Sequence, residues 1–536
     1  MNFDPLEYPY DSRRSVNYSK KGMVATSQPL AAQAGLEVLK KGGNAVDAAV
    51  ATAASLTVLE PTSNGIGGDG FAIIWKDEEM HGLNSSGPSP RNIDIETVKD
   101  KGYDEMPKFG WIPVTVPGIP GAWSSLCEEH GELPFEEVLE PAISYAEDGY
   151  PISPILGKYW KGAYKSYKEA IGGKDKFNNW FDTFAPKGRA PGIGEMWRSE
   201  DHAKTLREIA ETKAESFYKG KIAEKISEFS KETGGFLDQK DLAGFSPQWV
   251  DPLSVEYRGH DVWELPPNGQ GMIALQALNI LKGFDFDCKE SKETYHKQIE
   301  ALKLAFSDGK KVITDPDHMD VKPKDLLSED YAAERRELIG EKAIEPEPGR
   351  LAEGGTVYLA TADKDGNMVS YIQSNYMGFG SGLVVPGTGI ALQNRGNTFS
   401  LDPEHANCLE PGKRTYHTII PGFLTREGDA VGPFGVMGGY MQPQGHLQVI
   451  MNTLDFGLNP QAALDAPRWR WDEGKKVYLE KKFQDHIGKA LARKGHDIEY
   501  SLHSGSYGRG QMIWKMDEGT YAGGTEPRTD GHIASW

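Results

Sequence analysis

Apolar residues recur every three to four positions through LAAQAGLEVLKK (30–41), a run that follows Ser27 and Pro29 and stops at Gly42-Gly43. A hydroxyl before the first turn, a proline inside it and glycines after the last predict a capped helix. The next run, AVDAAVATAASLTVLE after Asn44, is apolar or small on every side, as in a helix buried all round. PTSNGIGGDG then leads into FAIIWK, read as a strand beginning at Phe71. Between about 95 and 350 the spacing is helical and rich in Glu and Lys, for example in FEEVLEPAISYAEDG, AKTLREIAET and SKETYHKQIEALKLAFSDGKK. After Leu351 the period shortens to two. TVYLATA and MVSYIQS read as strands around a turn at Asp365-Gly366, and glycine-rich strands continue to about residue 455. This segregation predicts an α+β protein with helices packed over sheets. Residues 325–355, charged and then rich in Pro and Gly, are expected to form an exposed, mobile connection.

Composition narrows the class. The 536 residues permit a large core, and 38% hydrophobic with 26% charged residues is globular. Lys and Arg number 59 against 78 Asp and Glu, a net charge of −19, which disfavours a nucleic-acid binder. Cys127, Cys288 and Cys408 are far apart and odd in number, arguing against a disulfide framework or zinc-thiolate site and for a reducing, cytoplasmic setting. The opening MNFDPLEYPYDSRRSVNYSKK lacks a secretory apolar core, and Ala48–Leu59 is short of the roughly 20 residues that span a bilayer. No membrane association is expected.

Gly65, Gly67 and Gly70 satisfy G-x-G-x-x-G, but the order is helix, glycines, strand, the reverse of a dinucleotide site. A tight loop with close backbone approach accounts for them. No phosphate-loop, zincin or nucleophile-elbow motif is present, and no two of the 13 histidines sit four apart on a helix face, so neither metal nor cofactor is expected. His417 and His446 are candidate bases, although a lone histidine is usually structural. Thr356, after Gly354-Gly355, opens the strand TVYLATA and on pattern alone is a β-former.

The segment MVATSQPLAAQAGLEVLKKGGNAVDAAVATAASLTVLEPTSNGIGGDGFAI resembles the opening of the gamma-glutamyltranspeptidase family. WIPVTVPGIPGAW, DLAGFSPQWVDPLSVEYRG, LPPNGQG, GGTVYLATADKDGN, GFGSGLVVPGTGIALQN, VMGGYMQPQGH and EPRTDG continue the likeness in the family's order to the carboxyl end. The resemblance implies an N-terminal-nucleophile hydrolase of αββα four-layer architecture. Residues 1–355, mostly helical, and 356–536 would form one interleaved domain after the chain cuts itself between Gly355 and Thr356. Thr356 would supply the attacking hydroxyl and, once freed, an amine base. Ser374 matches the hydroxyl residue beside the nucleophile, and Gly438-Gly439 match the oxyanion-hole pair.

The donor-binding positions depart from the glutamyl-specific pattern. Ser86 stands where the family's arginine for the donor α-carboxylate falls, and Thr398 where its aspartate for the α-amine falls. His417-Thr418 replace a serine pair, Tyr376 an asparagine and Arg395 a glutamine. Ser400–Lys413 is about ten residues shorter than in members with a lid over the pocket. These changes resemble the cephalosporin-acylase-like branch and imply an acidic, glutaryl-like acyl group held by Arg395 with His417, with Arg91 or Arg414 as further cations. The expected partners are a small-molecule amide and the chain's own two fragments. True glutathione hydrolysis with γ-glutamyl transfer, and an uncleaved inactive relative that binds rather than catalyses, are the alternatives.

Overall fold

The computed structural model describes residues 4, 6–12, 14–346 and 355–536. Two seven-stranded antiparallel sheets stack face to face. One runs, in spatial order, Asn17–Ser19, Tyr521–Thr525, Arg509–Lys515, Asp429–Met437, Gly422–Arg426, His260–Glu264 and Leu253–Tyr257. The other runs His532–Ser535, Gly22–Thr26, Gly355–Asp363, Met368–Tyr376, Asp69–Lys76, Glu79–Ser85 and Gln248–Val250. Pro29–Lys40 and Ala45–Leu59 cover the outer face of the second sheet, and Gly271–Leu281, Met441–Leu454 and Pro460–Asp465 that of the first. This is an αββα sandwich. Both faces of each central strand are therefore buried: Phe71 and Ile73 enter the core between the sheets, while Ala72 and Ile74 meet the helices. Burial on both sides is why FAIIWK reads as a nearly unbroken apolar run.

Local signals behave as physical chemistry requires, with three differences. Asn44 Oδ1 accepts the N–H groups of Val46 and Asp47 at 2.9 and 3.1 Å while Asp47 Oδ2 accepts that of Asn44 at 3.0 Å, a reciprocal cap. The helix it starts is buried along its whole length. The preceding helix is capped by Gln28, whose Oε1 accepts from Leu30 N–H at 2.6 Å and Ala31 N–H at 3.2 Å; Ser27 instead donates to Glu60. The stretch expected to be mobile is folded up to residue 346. Ser328 caps the helix Glu329–Glu337, and Arg336 donates to the Ile280 and Asn279 carbonyls at 2.7 and 3.0 Å. The rest of that stretch, 347–354, lies outside the described residues. The long helical region also contributes three strands between Gln248 and Glu264, at edges of both sheets, so helix and strand are less segregated than the periodicity predicts. Among the described residues no helix is long and apolar enough to cross a membrane.

Candidate active site

Thr356 is buried at the second position of Gly355–Asp363, in a central strand of the second sheet. Register against the neighbouring strand slips here: Gly355 pairs with Tyr376, but Val357 pairs with Gln373. The extra residue on the partner strand makes a bulge, and Tyr376 closes it at φ 74°. Three hydrogen bonds meet at Ser374 Oγ in consequence. Thr356 Oγ1 donates to Ser374 Oγ at 3.3 Å, Ser374 Oγ donates to the Gly355 carbonyl at 2.6 Å, and the Tyr376 N–H donates to Ser374 Oγ at 2.8 Å. On the far side Asp69–Lys76 pairs with this strand, Asp69 opposite Ser374. The glycine loop before it permits the approach, because a side chain at Gly68 would meet the Ser374 carbonyl at 2.4 Å.

Gly438 and Gly439, at φ 137° and 61°, join the strand Asp429–Met437 to the helix Met441–Leu454. A positive φ costs other residues energy, so the junction is one that only glycine tolerates, and the Met441 and Gln442 N–H groups that open the helix donate back to the Gly438 and Gly439 carbonyls at 3.1 and 3.2 Å. Gly355, Gly378, Gly438 and Tyr440 line one cleft of about 730 Å³. A larger hollow of about 980 Å³ lies elsewhere, against Lys99, Met106 and Ser400. The short Ser400–Lys413 segment folds back at a Ser400–Cys408 bridge, and its Leu401 and Leu409 pack on Val98 and Met106. It contributes nothing to the lining of the cleft.

Beside Ser374 the chain builds a buried charged cluster. The Arg395 guanidinium lies 4.4 Å over the Tyr376 ring and donates through Nη1 to Thr418 Oγ1 at 2.7 Å. Among the described residues its Nε and Nη2 have no hydrogen-bond partner. Burial pulls Arg395 down to about 10, opposed by Asp69, Tyr376 and Tyr440, so it stays charged at neutral pH. Asp69 is a residue that pattern reasoning passed over inside the glycine loop. Its Oδ1 accepts from Gln393 Nε2 at 2.9 Å, Gly118 N–H at 3.2 Å and Gly87 N–H at 3.3 Å, and its Oδ2 faces His417 Nε2 at 3.1 Å. Burial pushes the Asp69 carboxyl up to about 7, with Arg395 and these donors pulling the other way. His417 Nδ1 accepts from the Ile419 N–H at 3.3 Å, which leaves the proton on Nε2 facing Asp69. Burial, reinforced by Arg395, holds His417 well below its ordinary range, so it is a neutral link between Asp69 and the Thr418 segment.

Ser86 and Thr398 are occupied within the protein. Ser86 Oγ donates to Asn84 Oδ1 at 2.7 Å and accepts from Asn268 Nδ2 at 3.2 Å. Thr398 Oγ1 lies 2.8 Å from the Arg395 carbonyl, 2.9 Å from the Tyr416 carbonyl and 2.8 Å from Thr415 Oγ1. Arg91 is held by Asp241 at 3.1 Å, and Arg414 Nε donates to the Ser86 carbonyl at 3.0 Å. His446 pairs with Glu264 at 2.6 Å in the core. Among the described residues His296, Glu300 and His496 form one three-ligand cluster, which spacing does not show because His496 is remote in sequence. Its Glu300 is already paired with the buried Lys303 at 2.8 Å, and the two imidazoles share a 2.8 Å hydrogen bond. A cation is thus already in place there.

The chain is similar over nearly its whole length to known proteins. The profile of the gamma-glutamyltranspeptidase family matches residues 31–536. The glutathione hydrolase-like YwrD proenzyme of Bacillus subtilis (strain 168) is 38% identical, over 95% of this chain and 98% of its own. The oxamate amidohydrolase proenzyme of Klebsiella pneumoniae is 32% identical, over 97% and 100%. The crystal structure of cephalosporin acylase from Bacillus halodurans superimposes with a TM-score of 0.96 at 62% identity, covering 100% of this chain and 99% of that one. The chain is an enzyme and belongs to the gamma-glutamyltranspeptidase family of N-terminal-nucleophile hydrolases.

Proposed function

We propose that Thr356 is the nucleophile of a self-processing amidohydrolase whose acyl group ends in a carboxylate held by Arg395. The observation that carries this reading is the relay from Thr356 Oγ1 through Ser374 Oγ to the Gly355 carbonyl oxygen. Ser374 donates to the oxygen that must take up negative charge, while Thr356 presents its hydroxyl beside the same peptide. Attack of Thr356 Oγ on the Gly355 carbonyl carbon, followed by breakage of the C–N bond, gives an ester and frees the Thr356 amine. Water then hydrolyses the ester and releases the Gly355 carboxylate. The freed amine, with an ordinary pKa of about 7.7 to 8.0, is a base at neutral pH, which the precursor lacks. In turnover the same hydroxyl attacks the substrate amide, Gly438-Gly439 N–H groups hold the oxyanion, and water or an amine takes the acyl group.

Arg395 supports an acidic acyl group, because its Nε and Nη2 are buried donors still without acceptors and a carboxylate accepts from such a fork in bidentate fashion. Oxamate, which names one relative's substrate, is itself an amide whose acyl half ends in a carboxylate. The γ-glutamyl alternative needs an anion for the donor's α-ammonium. Asp69, the buried acid coupled to Arg395, already receives four donors, and Thr398 is turned toward carbonyls. Denaturing electrophoresis with amino-terminal sequencing tests the nucleophile: the 59.0 kDa chain should give fragments of about 39 and 20 kDa, the smaller beginning TVYLAT. Thr356→Ala should remain one inactive band. A wild-type chain that stays whole yet hydrolyses amides would refute the assignment.

A further inference from the structure

The block LPPNGQG runs into the helix Gly271–Leu281, and its backbone is sewn to the segment that carries His417 and Thr418. The His417 N–H donates to the Asn268 carbonyl at 2.8 Å, the Gln270 N–H donates to the His417 carbonyl at 3.0 Å, and Asn268 Nδ2 donates to the Thr415 carbonyl at 2.8 Å. These bonds deliver the side chain of Gln270, which is buried, to the gap between two loops. Its Nε2 donates to the Thr418 carbonyl at 2.6 Å and to the Gly439 carbonyl at 3.0 Å, while its Oε1 accepts from the Tyr416 hydroxyl at 2.7 Å. Carbonyl oxygens only accept, so both must face the NH2 end. The amide therefore has one orientation in which all three bonds are made.

The two carbonyls belong to different halves of the site. Thr418 Oγ1 accepts from Arg395 Nη1 at 2.7 Å, so a bond on the Thr418 carbonyl steadies the residue that orients the guanidinium. Gly439 carries one of the N–H groups that would hold the oxyanion. Neither Gly438 nor Gly439 has a side chain to lock it, and both sit at φ values that glycine alone adopts easily, so the direction of their N–H groups must be set from outside. A bond on the Gly439 carbonyl restricts the rotation of that residue and hence of its N–H. The same carbonyl accepts the Gln442 N–H at 3.2 Å, and Gln442 Oε1 accepts the Ile420 N–H at 2.9 Å. This second tie joins the same two loops, so they stay together when Gln270 is changed and only their fine alignment is released.

We propose that Gln270 is a positioning residue that couples the two halves, holding the Arg395 anchor and the Gly438-Gly439 donors in mutual alignment through one amide. The proposal rests on the roles proposed above for Arg395 and the glycine pair, and its first readout needs no turnover. The probes are 5-oxohexanoate, a non-hydrolysable methyl-ketone analogue of a glutaryl amide, and 6-methylheptan-2-one, in which an uncharged isopropyl group replaces the carboxylate; each is titrated calorimetrically into the purified enzyme. Wild type should prefer the acid about tenfold or more, and Arg395→Gln should erase that preference. Gln270→Met, which keeps the length without polar atoms, should shrink the preference about fivefold or more. It should also lower kcat for a saturating glutaryl anilide about tenfold, through misdirected oxyanion donors. In the Arg395→Gln background the same substitution should leave the binding ratio where it is and still lower kcat. Tyr416→Phe keeps the ring, removes the donor to Gln270 Oε1, and should move both readouts the same way by a smaller factor, which keeps the test open where Gln270→Met folds poorly. A glutamine that only stabilises the fold would cost Tm and yield while the binding ratio and kcat stayed within about twofold of wild type, and that result overturns the proposal. A wild type that binds both probes alike, or an Arg395→Gln enzyme that keeps the preference, overturns the Arg395 reading and this proposal with it. A preference lost in Arg395→Gln but untouched in Gln270→Met and Tyr416→Phe overturns the coupling alone.

Discussion

Replacement of Arg395 by Gln tests the proposed carboxylate-binding role of this guanidinium. The guanidinium is buried, stacked on Tyr376 and fixed by Thr418, so its orientation is set before substrate arrives. Nε and Nη2 are the two nitrogens without a hydrogen-bond partner among the described residues, and under the proposed reading they face the substrate's carboxylate. A hydrogen bond to a charged partner contributes about 1.5 to 3 kcal/mol, and full burial removes the solvent screening that weakens surface pairs. Taking the lower figure for each of two bonds gives about 3 kcal/mol, a factor of about 150 in kcat/KM. The assay compares a glutaryl anilide with the pentanoyl anilide, which has the same chain length and no terminal carboxylate. The glutaryl preference should fall about a hundredfold or more in Arg395→Gln, with partial recovery in Arg395→Lys, which restores charge but not the fork. Removing the guanidinium also takes a positive charge from Asp69 and should push that carboxyl higher still, so Tm and fragment formation must be checked in parallel. A folded, processed Arg395→Gln enzyme whose glutaryl preference changes by less than about threefold would refute the assignment, because two charged bonds cannot be lost so cheaply.

Two further outcomes follow from the same geometry, and a third from the buried His202 of the helix Glu200–Glu211. Ser374→Ala removes the donor to the Gly355 carbonyl and should slow fragment formation about tenfold to a hundredfold, read by electrophoresis over time; an unchanged rate would make Ser374 a spectator. Thr398→Asp sets a carboxylate against the Arg395 and Tyr416 carbonyls and should lower stability by about 1 to 3 kcal/mol in denaturant unfolding without creating a γ-glutamyl preference; a gain in γ-glutamyl hydrolysis would show that the position faces substrate. His202 is held down to about 4 by burial, whereas the unfolded chain takes up that proton near 6.5, so its contribution is present above pH 6.5 and is lost as pH falls toward 4. That window is worth about 3 kcal/mol, and His202→Gln should flatten the loss of stability between pH 7 and 4.5; equal slopes for the two proteins would contradict it.

The elements that depend on neighbours within a few residues were legible in the chain alone. The helix after Asn44 follows from a capping side chain and an acid three residues on, and the turn at Asp365-Gly366 from two period-two runs with a glycine between them. The family blocks around Thr356, Ser374 and Gly438-Gly439 were visible for a related reason: a strand bulge and glycines at positive φ are tight backbone features that few residue types satisfy. Capping at Gln28 rather than Ser27 was not visible, because Glu60 claims the serine from the far end of the next helix. Nor was Asp69, which means little between two glycines until His417, 348 residues later, and the Gly87 and Gly118 amides close around it. Ser86 and Thr398 aligned with donor-binding positions, yet their hydroxyls are directed by Asn84, Asn268 and Tyr416, partners chosen by how the two sheets stack. Short-range hydrogen bonding and periodicity are properties of a segment. The direction of a buried side chain and the charge it feels belong to whatever distant segment packs against it, and only the assembled sandwich decides that.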